Sequence, residues 1–196
     1  FKVLITYIRL LFFPINLNID YDYHIAKNLF ELPVLISLVV LLIILFTGIR
    51  LLRRYPLTSP SPLEAPHNNM PFLMGFGILW FFITLLPESS VITLSDAINE
   101  HRLYLPMPGY ALFLTAGLHY LFKRNIKLLT VITLIIIIFY SSLTYFRNII
   151  WQDELSLWSD TVDKSPHKAR GYNARGVAYS NKGRYDKAIE DFNMAL

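Results

Sequence analysis

The chain has 196 residues, 54% of them hydrophobic, with 18 basic and 14 acidic residues and a net charge of +4. It contains no cysteine, which excludes disulfides, thiolate metal sites and cysteine nucleophiles, and its basic residues form no run suited to nucleic acid. Fifteen of the 32 charged residues fall in the last 50 positions, a segregation expected of a membrane part followed by a water-facing part.

Phe1–Pro14 is apolar apart from Lys2 and Arg9. It reads as an amphipathic helix lying in the outer membrane interface, with the tail of a truncated span as the alternative. The opening at Phe1 rather than methionine is expected of a piece of a longer protein. Asn16–His24 then alternates polar and aromatic residues, a composition suited to the headgroup boundary. Residues 1–31 are therefore expected to form an outer interfacial segment.

Four stretches without Asp, Glu, Lys or Arg follow, at about 32–49, 70–87, 103–122 and 128–146. A helix needs roughly 20 residues to cross about 30 Å of hydrocarbon, with a lower limit near 17. The stretches predict a membrane domain of four transmembrane helices over residues 32–146. Arg50, Arg53 and Arg54 follow the first, and Lys123, Arg124 and Lys127 separate the third from the fourth. The positive-inside rule puts both basic connections in the cytoplasm. Residues 1–31, the Glu88–Arg102 loop and the tail then lie outside. Pro56, Pro60, Pro62 and Pro66 make the loop 51–69 an extended linker.

Residues 147–168 read as a junction and a degenerate half-repeat. Residues 169–196 place Tyr172, Gly176, Tyr179, Ala188, Phe192 and Ala195 at the spacings of a tetratricopeptide repeat, a helix–turn–helix unit of 34 residues. The small residues let two helices approach and the rings fill the space between them. Lys182–Arg184 supplies the turn and Asp186 is expected to cap the second helix. Arg175 stands where leucine is usual. Trp158 and Thr161 precede Phe192 and Ala195 by one repeat length, and Pro166 closes the earlier helix. One repeat cannot bury its own face, so further repeats are expected to follow. The fold class is thus all-α, a multi-span membrane domain followed by a truncated repeat domain.

The segment Glu100-His-Arg102-Leu-Tyr104-Leu-Pro106-Met-Pro-Gly109, the stretch Tyr7–Pro14 through Tyr21, and Asn148-Ile-Ile-Trp151-Gln-Asp153 before the repeats together resemble one family. It is the transmembrane and tetratricopeptide repeat-containing O-mannosyltransferases, with their bacterial relatives, of the glycosyltransferase C fold. The resemblance implies sugar transfer from a polyprenyl-phosphate donor to a protein hydroxyl on the outer face of the membrane. That places the protein in a bacterial inner membrane or the endoplasmic reticulum, with the repeats on the periplasmic or lumenal side. The family's catalytic acidic residue sits in a first outer loop that lies before Phe1, so no catalytic residue is expected in this chain.

Arg102 is the residue singled out for the donor phosphate, with Tyr104 beside it. A guanidinium grips phosphate oxygens in a fork. The alternative is an arginine snorkelling to the interface. Asp96 and Glu100, four apart, suit one helix face and acid–base work. The preferred reading has them as a solvated loop face, or has Glu100 support Arg102. His101 and His119 have no partner at ligand spacing, so no metal site is predicted. No cofactor is evident, and a divalent metal is left open. Expected partners are membrane lipid and a protein, acceptor or otherwise, held by the repeats. The competing function is a membrane-anchored repeat scaffold without catalysis.

Overall fold

The computed structural model describes residues 1–23, 28, 30–55, 69–90 and 98–196, with backbone alone for 87–90. His24, Asp96 and the prolines at 56, 60, 62 and 66 lie outside the described residues. Among the described residues the regular elements are helical and no strand occurs, as the all-α reading requires. In chain order they are α1 (Lys2–Phe12), α2 (Leu32–Arg54), α3 (Met70–Ser90), α4 (Pro106–Phe122), α5 (Ile126–Trp151), α6 (Glu154–Lys164), α7 (Ala169–Asn181) and α8 (Tyr185–Ala195). They divide into two compact units.

The first unit comprises Phe1–Phe13, Ala26–Thr93 and His101–Ile136. Its α1 buries Tyr7, Leu10 and Leu11. A proline in its first turn opens α2, where a missing N–H costs nothing. This helix runs past Ile49 to Arg54, since Arg53 and Arg54 in the last turn complement its dipole rather than end it. The next helix, α3, runs past Pro87 to Ser90. A proline removes one upstream hydrogen bond but leaves the following backbone free to stay helical. Instead of starting at Leu103, α4 starts at Pro106, behind a separate 3-10 turn over Glu100–Leu103.

Antiparallel helices α3 and α4 cross at Gly77 and Gly109. A Cβ on Gly77 would run into the Gly109 carbonyl oxygen, so any larger residue forces the helices apart. Among the described residues two helices, α2 and α5, are long and apolar enough to cross a membrane. With 21 residues α3 extends about 32 Å, and with 17 residues α4 extends about 25 Å. Asn125 starts α5 by accepting from the Leu128 N–H at 3.1 Å. No proline or glycine follows until Pro166, and the helix continues past Phe146 to Trp151.

The second unit comprises Pro14–Ile25, Leu94–Glu100 and Ile137–Leu196. Asp153 caps α6 by accepting from the Ser156 N–H. Then α6 packs on α7 and α7 on α8. Gly183 turns the chain between α7 and α8 with φ 71°. Asp186 does not cap α8. The cap position is Arg184, without a side-chain bond, and Asp186 sits in the first turn, where its charge faces the positive end of the dipole.

Candidate functional site

Arg102 sits in the 3-10 turn that leads into α4. It is half-buried, between exposed His101 and buried Leu103, and Tyr104 is 72% exposed. The turn is fixed to the bundle from the side. The Trp80 indole N–H donates to the Leu105 carbonyl at 2.7 Å, which occupies an acceptor of the first turn of α4. Trp80 is the eleventh of the 21 residues of α3. The start of α4 therefore stands level with the middle of α3, about 15 Å short of that helix's end at Ser90. His119 is half-buried in the last turn of α4.

Glu100 falls in the second unit, where its carboxylate is already engaged. One oxygen accepts from the Asn18 N–H at 2.7 Å and from the Tyr21 hydroxyl at 2.8 Å. Burial pushes the Tyr21 phenol well above its ordinary pKa, and the neighbouring Glu100 charge adds to the rise. The Arg147 charge opposes it. Asn18 also donates through its side chain to the Asp20 carbonyl and to Ser165 Oγ, at 3.0 and 2.8 Å. The Asp22 N–H donates to the same Ser165 oxygen at 3.0 Å. Lys164 donates to the Leu17 carbonyl and pairs with Asp160, which also holds Arg147. Lys168 faces Asp20 at 3.5 Å.

Asn18, Asp20 and Ser165 are buried. Within the Asn16–His24 stretch, Asn18 and Asp22 are pinned to the loop after α6. Leu17, Asn18, Asp20, Tyr21 and Asp22 each have a partner from a distant segment, while the buried Asn18 Oδ1 accepts no hydrogen bond. The sequence offers no local signal for a pairing across 147 positions.

Tyr172, Gly176 and Tyr179 lie on α7, and Ala188, Phe192 and Ala195 on α8. A Cβ on Gly176 would stand 2.7 Å from the Phe192 ring, so the glycine admits the ring. Ala188 is buried, as are Ala178 and Asp191, which the sequence reading did not single out. Arg175, the departure from leucine, has a reason. Its Nε and Nη2 donate in parallel to the two Asp191 oxygens at 2.8 and 2.7 Å. That pairing raises the already high Arg175 pKa. Arg175 also lies over the Tyr172 ring at 5.5 Å, and Lys187 over Tyr179 at 5.7 Å. Asp153 is held below the usual carboxylate range by its hydrogen bond from Lys182.

Residues 169–196 match the tetratricopeptide repeat family. A wider similarity covers the rest. The chain is 28% identical to the Protein O-mannosyl-transferase F38B6.6 of Caenorhabditis elegans over 198 aligned positions, 95% of this chain and 25% of the relative. It is 37% identical to the Protein O-mannosyl-transferase TMTC2 of Mus musculus over 143 positions, 70% of this chain and 17% of the relative. It is 27% identical to the Protein O-mannosyl-transferase Tmtc3 of Drosophila melanogaster over 122 positions, 60% of this chain and 13% of the relative. No solved structure matches. The chain thus spans a quarter or less of the length of these relatives. With its apolar helices and its carboxyl-terminal repeat, it resembles one stretch of the transmembrane, repeat-bearing protein O-mannosyltransferases.

Proposed function

We propose that this chain is part of a membrane glycosyltransferase that moves a sugar, mannose by analogy with the relatives' names, from a polyprenyl phosphate to a protein hydroxyl. The observation that carries the reading is similarity to proteins named as O-mannosyl-transferases across 60–95% of the chain. In this reading the reaction runs on the outer face of a bacterial inner membrane or in the lumen of the endoplasmic reticulum. The repeats stand on that same side and hold the acceptor or a partner protein. The bond from the anomeric carbon to the phosphate oxygen breaks as the acceptor oxygen attacks. The acceptor proton passes to a carboxylate supplied by a part of the protein before Phe1.

Arg102 serves the departing phosphate. Negative charge grows on that group as the sugar leaves, and a fixed guanidinium stabilises it more in the transition state than in the ground state. Tyr104, exposed two positions on, lies against the carrier. Glu100 is a positioning residue. Its bonds to Asn18 and Tyr21 fix the backbone two residues before Arg102.

The test is transfer from polyprenyl-phosphate mannose by the full-length protein in vesicles. Arg102→Ala is expected to lower transfer at least a hundredfold while insertion and helicity are unchanged. Arg102→Lys is expected to recover little, because an ammonium keeps the charge and loses the fork. Full transfer by Arg102→Ala removes Arg102 from the reaction. Full transfer by Arg102→Lys reduces it to a membrane anchor or a simple charge. Absence of transfer by the unaltered protein with every polyprenyl-phosphate sugar offered leaves the repeat-scaffold reading in its place.

A further inference from the structure

The first unit encloses a groove of about 280 Å³ between α1, α2, α3 and α4. Ile8 and Phe12 of α1 form one wall, Ile43 and Thr47 of α2 a second, Phe81 of α3 and Phe113 of α4 the rest. Phe12 is packed edge-on against Tyr110 at 4.9 Å, so α1 closes on α4 at this point. The Thr47 hydroxyl donates to the Ile43 carbonyl at 2.8 Å and offers the groove no polar group.

Two properties select the occupant. The lining is apolar, and apolar cavities much larger than a water molecule stay dry. Ile43 and Thr47 are the twelfth and sixteenth of the 23 residues of α2, the middle of a helix long and apolar enough to cross a membrane. At that depth the surrounding solvent is hydrocarbon.

We propose that the groove holds one acyl chain of a bilayer phospholipid, which joins α1 to the α2–α4 bundle. This rests on the membrane reading of the unit, not on the transfer reaction. Among the described residues, no charged one lines the groove, and its polar side chains are Thr47 and Tyr110 alone. Occupancy therefore follows concentration, and phospholipid tails are the most concentrated chains in a bilayer.

The experiment places the full chain in lipid nanodiscs containing phosphatidylcholine with a photoactivatable diazirine near the end of one acyl chain. Labelled residues are then mapped by mass spectrometry. Label is expected on Ile43, Thr47 and Phe81, as well as on exposed Ile138 of α5. Ile8→Trp fills the groove and is expected to lower its label at least fivefold with Ile138 unchanged. Ile43→Phe fills it from the opposite wall and gives the same result if the first variant loses helicity. Label on Ile138 without label in the groove overturns the proposal, as does groove label that neither filled variant reduces. Groove label from a diazirine-bearing polyprenyl phosphate but not from the phosphatidylcholine overturns the acyl assignment. No label on either α2 or α5 overturns the proposal by removing the membrane reading, whereas loss of sugar transfer leaves it untouched.

Discussion

Arg175→Ala gives the sharpest test of how the repeat is held together. Asp191 keeps only 6% of its side chain exposed, and its two oxygens face the Nε and Nη2 of Arg175. Removing the arginine leaves a buried carboxylate with no cation. Breaking a buried pair by deleting one member costs about 3–5 kcal/mol. Arg175 retains 18% exposure, so some water reaches the remaining charge and the lower figure applies. A loss of about 3 kcal/mol corresponds to roughly 150-fold faster opening. Amide hydrogen exchange reads this locally, at the α7 and α8 amides, in the detergent-solubilised chain. Arg175→Leu with Asp191→Phe replaces the pair by apolar groups and is expected to exchange no faster than the unaltered chain. Exchange in Arg175→Ala within threefold of the unaltered chain would refute the view that this pair closes α7 on α8.

Gly176→Val places a branched side chain where a Cβ alone meets the Phe192 ring at 2.7 Å, and is expected to cost about 1–3 kcal/mol by overpacking, read by the same exchange. Tyr21 supplies a pH test. Its folded pKa is raised above the ordinary 10.0, so its stabilisation is complete below that value and is lost as the pH climbs above it. Tyr21→Phe is expected to lose less protection between pH 9 and pH 11 at the Ile98 and Ser165 amides, and an equal loss in both proteins would contradict the assignment. The absence of cysteine permits single-cysteine labelling without background. Cysteines at Asn125 and Asn181 are expected to react from opposite sides of the membrane, and reaction from the same side would exclude α5 as a span.

The helices were legible because each leaves a one-dimensional mark. Four uncharged stretches, and small and aromatic residues at repeat spacing, are visible without knowing what packs on what. Boundaries were less legible, because a charge or proline reads as a stop in a string but not in a helix. Arg53 and Arg54 extend α2 through its dipole, and α3 continues past Pro87. Of the candidate site, the place of Arg102 ahead of α4 was legible in its prolines. The partners were not. Arg175 read as a departure from leucine until Asp191, sixteen positions on, supplied its counter-charge. Asn18 and Tyr21 read as boundary residues because nothing nearby announces Glu100 and Ser165.

Ser165 also sets an order of events during synthesis. Its hydroxyl oxygen accepts from groups of Asn18 and Asp22, residues made more than 140 positions earlier. Chains elongate at roughly 5–20 residues per second, so those donors wait about 7–30 s for their acceptor. During that interval the groups that bind Ser165 have only water or lipid headgroups in its place, although Glu100 reaches Asn18 and Tyr21 earlier. Locking onto Ser165 completes only after the turn that follows α6 has left the ribosome.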